Sequence, residues 1–569
     1  MKKFIYSMLV VITFFNCKND MEKTDDNGFK LFYNGDIITM HSEKPSYVEA
    51  VVEQNGKIVF TGKLKDAEAN YANAKKIDLN RKTLLPGFID AHSHFGMVSN
   101  TMGQVDLNPA PIGSITNIDD IIEQLKIFKQ EKNIPDGEWI FGWGYDDGQL
   151  AEKRHPTKND IDKALPNNPV YLQHTSSHIG VANTLALDKL KVSSDSKNPE
   201  GGNIDRFPNS EEPTGLMQET AMYPFMEVML TEFSSKQAEF FDTTQRYYAS
   251  NGITTAHDGM ADRNAIRFYQ SQADSGKLYL DLVALAGSFE LDSNLKDETL
   301  QFKTYKNRFK VQGTKVVADG SPQGKTAYFT KPYLTEVSGC ITDCRGLPSI
   351  AQADLNAMFV TAYEAKNQLF VHCNGDATID MVLEAHEKAC LRLNIPLDTD
   401  FRTIIIHAQF ARADQLFKFV KYKMEPSFFS NHAYFWGDDH VRNLGQKRAD
   451  FLSPMVSADR LGLKITNHSD APITPVNPIF SIWSAVNRVS RSGAVIGEKE
   501  RAKPYVALKA VTSNAAYQFF EHHLKGSISV GKLADFVILD ANPLKVKPMD
   551  IKNIQVLETI KEGQTIFKK

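Results

Sequence analysis

The sequence predicts an α/β protein: a distorted (β/α)8 TIM barrel joined to a small β-sandwich domain built from both terminal segments. Three observations predict it. Short apolar strand candidates alternate with helical periodicity through the middle of the chain, the pattern of βα units around a parallel sheet. Strand-rich stretches flank that middle at both ends. Histidines and an aspartate stand directly after several apolar strands, where a βα barrel gathers its chemistry.

At the N-terminal side, residues 31–40 hold Tyr33-Asn34-Gly35-Asp36, a turn-rich start, before an apolar run. Residues 51–60 are two short strands around Asn55-Gly56, a hairpin signal because both turn positions favour positive φ. Residues 83–87 close this β region. Strand candidates in the middle are 87–90, 139–142, 170–172, 254–256, 279–286, 315–318, 369–371, 403–406 and 463–466. Helical patterns at 118–130, 349–366 and 377–393 lie between them. The stretch 95–250 breaks the spacing and implies large insertions. β character returns at 536–539, 554–560 and 565–567. The expected domains are a lipoprotein-type signal peptide at 1–17, a tether at 18–28, the N-terminal portion of the β-sandwich at 29–85, the barrel at 86–510, and a closing helix with the C-terminal portion of the β-sandwich at 511–569.

The 569 residues, 42% of them hydrophobic, supply a large core. A TIM barrel occupies roughly 250 residues or more, so two domains account for the length. The formal charge of −4 offers no footprint for nucleic acid, and none is expected as a partner. Five cysteines are too few for a disulfide scaffold.

Met1-Lys2-Lys3 is a short positive region, and residues 4–15 are almost wholly apolar. That run is too short for a mature transmembrane helix and suits a signal peptide. It ends at Asn16-Cys17, followed by a polar, charged stretch. A cysteine there resembles a bacterial lipoprotein cleavage site, with Cys17 lipidated and anchored to a membrane. Asn16 departs from that pattern, which prefers a small residue. The expectation is a lipid-anchored protein of the bacterial envelope, periplasmic or at the outer membrane; ordinary secretion and an uncleaved anchor are the alternatives.

The sharpest local signal is Ile89-Asp90-Ala91-His92-Ser93-His94. Side chains alternate along a strand, so His92 and His94 share a face and can grip one divalent cation. By itself, His-x-His also fits two histidines in a polar loop. His372 and His407 each follow an apolar strand directly, and Asp470 lies just past another. A lone histidine at such a position is more often a satisfied buried residue. Four histidines and one aspartate at strand ends instead imply a bound ligand or a metal.

These motifs resemble the amidohydrolase superfamily, and within it the amidohydrolase-3 group of YtcJ-like and N-substituted formamide deformylase-like proteins. Residues 85–94 match the group's lead-in to the barrel. Residues 141–146, 170–178 with Asn183, and 213–219 are similar to its next landmarks. Residues 315–321, His372-Cys373-Asn374-Gly375-Asp376, His407-Ala408-Gln409, Ser469-Asp470 and 531–537 follow in its order. The resemblance implies that His92 and His94 hold the more buried metal, that Lys315 is carboxylated to bridge two metals, that His372 and His407 hold the second, and that Asp470 ligates the first and shuttles the proton. One metal, with Lys315 an ordinary lysine neutralised by Asp319, is the alternative. Ile406 departs from the group, which often carries Glu before this histidine.

Zn²⁺ is the expected metal, because imidazole and carboxylate suit it and no redox step is needed. The expected reaction is hydrolysis of a non-peptide C–N bond, in an amide, N-substituted formamide or cyclic amide, by a metal-bound hydroxide. Asp470 serves as general base and then acid. His178 and His432 are candidates to stabilise the oxyanion; either could instead be structural. Residues 143–145 and 431–436 are aromatic-rich, fit either for an apolar substrate pocket or for barrel packing. Cys340 and Cys344 form a disulfide or stay free thiols, and Cys373 points away from the site. Relatives are often dimers, which makes a homodimer one candidate assembly; the sequence itself does not encode the oligomeric state. Ester or lactone hydrolysis, isomerisation, and a non-catalytic binding lipoprotein are the competing functions.

Overall fold

Parallel strands covered on both faces read as continuous apolar runs, and every residue of Asp281–Gly287 is buried accordingly. In the computed structural model, which describes residues 28–110, 112–175, 179–199, 202–337 and 340–569, this strand lies in an all-parallel sheet of eight. We number its strands in chain order: β1 Phe88–Ile89, β2 Ile253–Ala261, β3 Asp281–Gly287, β4 Phe309–Val317, β5 Gln368–Cys373, β6 Ile404–His407, β7 Glu425–Phe428 and β8 Thr466–Asn467. They pair in that order. The expected signal peptide, Cys17 and nearly all of the expected tether lie outside the described residues. No helix among the described residues is long and apolar enough to cross a membrane.

Alternation sorts the barrel side chains. Ile89, Ala91, Val283, Leu285, Phe370, Ile404 and Ile406 share one interior cluster with Ala515, Ala516 and Phe519. Leu282, Ala284, Val371 and Ile405 belong to a different cluster, shared with helical residues such as Phe359 and Leu383. The helix Ser513–Gln518 wedges between β1 and β8. Its Gln518 Nε2 donates to Ala91 O at 2.7 Å, and Asn514 Nδ2 to Ile465 O at 2.9 Å. Above this wedge the rim closes through backbone bonds, Asp470 N to His92 O at 3.1 Å and His94 N to Ala471 O at 2.8 Å. The first and last strand ends are thereby tied together at the metal-candidate residues.

Two strand candidates, 139–142 and 170–172, are not barrel strands. They fall in a separate six-stranded mixed sheet, inserted between β1 and β2, made of Val105–Asp106, Ile140–Tyr145, Val170–His174, Ile179–Ala182, Gly202–Arg206 and Pro213–Glu219. Phe141 and Tyr171 pack with Met217 and Phe225 in a cluster of their own. Conversely, β7 escapes the apolar-run criterion, since Glu425-Pro426-Ser427-Phe428 carries one large apolar side chain besides proline.

The terminal segments share one sheet, ordered Gln564–Lys568, Val556–Lys561, Phe536–Leu539, Thr83–Pro86, Phe29–Ile38, Tyr47–Gln54, Lys57–Gly62, with Lys75–Asp78 paired to Phe29–Ile38. The predicted hairpin is present, with Asn55 at φ 50° and Gly56 at φ 79°. Phe536–Leu539 runs antiparallel to Thr83–Pro86, Phe536 opposite Pro86. Alternate residues feed two clusters, Phe32, Val51 and Phe536 in one and Leu31, Ala50 and Val52 in the other. This sheet is fastened to the barrel by buried charge: Lys561 Nζ lies 2.8 Å from Asp281 Oδ2 on β3 and 2.8 Å from Asp535 Oδ2. Burial opposes the Asp281 charge, but Lys525 and Lys561 hold its carboxyl below the ordinary range. Cys340 and Cys344 are disulfide-bonded, with Cα atoms 5.8 Å apart. Cys373 is buried and free, in the outer cluster as expected.

Candidate metal centre

Every described residue predicted as a metal ligand comes to the C-terminal rim of the barrel. His92 is fully buried just past β1. Its Nε2 lies 3.0 Å from Lys315 Nζ on β4 and 3.4 Å from Asp470 Oδ1. His94 Nε2 lies 3.4 Å from the same Asp470 oxygen. Donor atoms of His92, His407 and Asp470 all fall within 4.8 Å of one another. The rings of His372 and His407 are 4.5 Å apart between centroids.

Backbone conformation aims these groups. Ile404 and Ile406 face the barrel interior, so strict alternation would turn His407 outward. His407 and Ala408 instead adopt φ of 70° and 44°, and the His407 ring comes within 5.7 Å of His92 between centroids. Asp470 also takes a left-handed φ, 53°. Non-glycine residues seldom occupy this region, and functional sites are where such strain collects. Ile406, the departure from the group's pattern, packs in the interior beneath.

A cation fits this donor set. Asp470 Oδ1 is buried and makes no close hydrogen bond among the described residues, while two imidazole nitrogens sit 3.4 Å away. A bare buried carboxylate oxygen is costly unless a positive charge meets it. His92 and His407 are held neutral, as metal ligands must be: burial pushes both imidazoles well below their usual range, with help from Lys315 at His92 and His372 at His407. Burial would raise the Asp470 carboxyl, yet neighbouring His94 and His468 hold it below the ordinary value. Burial also lowers the Lys315 amine to about 8.

Several supporting residues carry no such signal in the sequence. Asp319 does not neutralise Lys315; its Oδ1 lies 3.2 Å from His372 Nδ1 and accepts from Asn374 N at 2.9 Å, and its Oδ2 accepts from Gly375 N and Thr378 Oγ1 at 2.8 Å each. It therefore fixes His372 with Nε2 as the nitrogen left for a metal; Asn374 Nδ2 makes only a long 3.3 Å contact there. His468, two residues before Asp470, has Nε2 3.0 Å from His407 Nδ1 and Nδ1 2.9 Å from Ser427 Oγ. His257, at the end of a predicted strand, stacks on Phe519 inside the barrel, its Nε2 buried and without a hydrogen bond among the described residues.

Of the two oxyanion candidates, His178 lies outside the described residues. His432 is buried, its ring 4.6 Å from Phe429 and 4.5 Å from Trp436 between centroids. Phe429 in turn lies 5.8 Å from His407, which places His432 one ring away from the ligand cluster. Asn183 is structural, capping Thr184–Lys189 by accepting from Ala186 N. Tyr434 packs on Phe480 and Trp483, ordinary core packing. Trp143 lines a cavity of about 1050 Å³ with Val98, Tyr247, Pro472 and Val476. That cavity starts directly after Asp470 in the chain, though none of the six candidate ligands lines it. A second group, Asp146, Asp147 and His174, sits at strand ends of the inserted sheet, with Asp147 Oδ1 3.1 Å from His174 Nε2.

Residues 75–567 match the model of the family described as "Amidohydrolase family". An N-substituted formamide deformylase from Arthrobacter pascens is 26% identical, over 94% of this chain and 97% of its own. Protein LONG AFTER FAR-RED 3 of Arabidopsis thaliana is 29% identical, over 94% of this chain and 91% of its own. The crystal structure of an uncharacterized metal-dependent hydrolase from Pyrococcus furiosus superimposes with a TM-score of 0.71 at 24% identity, covering 91% of this chain and 100% of that one, a likeness of fold. With its family match spanning the whole barrel and the C-terminal strands of the terminal sheet, this chain belongs to the amidohydrolase family.

Proposed function

We propose that the protein hydrolyses a non-peptide C–N bond, in an amide, N-substituted formamide or cyclic amide, with zinc held by His92, His94, His372, His407 and Asp470. One observation carries the reading: the bare buried oxygen of Asp470 converging with two imidazole nitrogens. The formamide deformylase likeness supports the substrate class. Bound zinc supplies Lewis acidity and lowers the pKa of a coordinated water from 15.7 to about 7. Asp470 accepts the proton of the attacking water and returns it to the leaving nitrogen as C–N cleaves. His432 donates a hydrogen bond to the carbonyl oxygen as charge develops on it.

The proposal extends to Lys315. Its amine, lowered to about 8 by burial, is neutral often enough near neutral pH to add to CO2 with release of a proton, and the resulting carbamate would be a further ligand for metal at this site. Cys17, beyond the described residues, is the proposed lipid anchor that places the enzyme in the bacterial envelope.

Metal content per chain, measured on chelator-washed and reconstituted protein beside Lys315→Ala, tests the site. About two equivalents falling to one or none in the variant supports the carbamate ligand. One equivalent unchanged by the variant returns Lys315 to a structural role, and no metal sinks the hydrolase mechanism. A panel of amides, formamides, esters and lactones then reads the bond class. Detergent-phase partitioning of wild type against Cys17→Ser reads the anchor.

A further inference from the structure

His440, on the helix Gly437–Leu444, is a fully buried histidine that the proposed reaction does not use. Its Nε2 lies 3.0 Å from His432 Nδ1, and the two rings are nearly coplanar in orientation, 6° apart. Its other nitrogen, Nδ1, is buried and has no partner among the described residues. Phe410 meets the His440 ring edge-on, with centroids 5.4 Å apart.

Both imidazoles are neutral. Burial lowers His440 to about 3, and burial with the neighbouring His440 ring pushes His432 well below the usual range. Each ring then carries a single proton, and one must donate across the 3.0 Å contact. Were His432 the donor through Nδ1, the proton of His440 would sit on Nδ1, a buried N–H with no partner among the described residues. Were His440 the donor through Nε2, only a lone pair would be stranded. A buried N–H without a partner is the rarer outcome. The second arrangement also leaves His432 with its proton on Nε2, the ring nitrogen away from His440.

We infer that His440 is a positioning residue that fixes the tautomer of His432, so that His432 presents an N–H donor, and not a basic lone pair, beside the ligand cluster. The inference rests on the hydrolase reading for its purpose but not for its structure. A donor fixed before substrate arrives suits an oxygen acceptor that gains negative charge, and it spares the reaction the cost of selecting a tautomer. It also separates His432 from the metal: with Nδ1 occupied by His440 and Nε2 protonated, neither nitrogen is free to ligate.

The test is ring-nitrogen NMR on metal-loaded, substrate-free protein labelled with 15N-histidine, with His432→Gln identifying the His432 signals. The expected result is a proton on His432 Nε2 in the wild type. In His440→Gln, whose amide N–H2 can still donate to His432 Nδ1, the signal is retained. In His440→Met, which cannot donate, His432 shifts toward the other tautomer. With a substrate in hand, kcat falls about tenfold or more in His440→Met, KM changes less than about twofold, and His440→Gln recovers most of the loss. A wild-type proton on His432 Nδ1, or an unchanged tautomer in His440→Met, overturns the inference. The wild-type spectrum decides even if a variant fails to fold. Absence of any C–N hydrolysis would overturn the function while leaving the tautomer result standing.

Discussion

Gly259 forms the wall behind His92: a β-carbon at position 259 would stand 2.2 Å from His92 Cε1 and 2.7 Å from Nδ1. No real contact is that short, so the imidazole holds its place only because the residue on β2 has no side chain. The same ring also meets Lys315, whose Nζ lies 3.0 Å from His92 Nε2.

Gly259→Ala should therefore damage metal binding before it damages the fold. The expected outcome is a loss of metal affinity of about tenfold or more, comparable to losing an outer-shell partner. Competition with a colorimetric chelator measures it. Unaltered affinity in a folded Gly259→Ala protein would show that the His92 ring can shift without cost.

Asp319→Asn removes the charge that orients His372 while keeping the shape. Outer-shell carboxylates of this kind are worth about 10–100-fold in metal affinity, and that is the loss expected here, again read by chelator competition. The circular dichroism of the variant should match wild type. An affinity within about twofold of wild type would mean that Asn374 and the β5 backbone orient His372 unaided.

Glu425, at the start of β7, is pushed up to about 7 by burial. Between its unfolded value near 4.5 and about 7, the folded protein keeps a proton that the unfolded chain has released. Stability attributable to this group is thus present at low pH and lost as pH rises through that window. Denaturant midpoints of the metal-free protein at about pH 5 and about pH 7 should show a larger drop in wild type than in Glu425→Gln. Asp90, raised to about 7 chiefly by its own burial, contributes the same slope to both proteins and cancels. Equal drops would place Glu425 in a wetter setting than its contacts indicate.

Lys561→Met leaves Asp535 and Asp281 buried with one cation fewer between them. Breaking a buried pair by removing one partner typically costs about 3–5 kcal/mol. Thermal unfolding should shift down accordingly, and metal content in the folded fraction should stay at the wild-type value. A midpoint within error of wild type would show that Lys525 and Arg308 neutralise both carboxylates by themselves.

Much of this centre is legible in the sequence because its ligands follow simple rules. His92 and His94 share a strand face, and His372 follows an apolar run that alternation points inward. His407 stands out for its position after a strand, yet the reason it works, a left-handed turn of backbone against the alternation, leaves no sequence signal in a histidine. His257 and His468 escape notice because each looks like a single polar residue near a strand, and only the closed barrel brings their rings to His92. The strands at 140 and 170 read as barrel strands because a parallel pair looks the same in either sheet. What separates them is their partners, Met217 and Phe225, far along the chain. The strand at 425 is invisible for the opposite reason, as its neighbours and not its own composition make it a strand.

The pairing of Phe536–Leu539 with Thr83–Pro86 has a kinetic consequence. Thr83–Pro86 leads directly into β1 and so into His92, but one of its edges is satisfied only by a strand about 450 residues later. The contact order of that pairing is extreme, and loop closure on this scale makes assembly slow. Until it forms, an apolar edge stands open to any other strand, a template for aggregation. Refolding from denaturant should consequently be slow and concentration-sensitive, its yield rising on dilution, with metal capture lagging behind the recovery of helix.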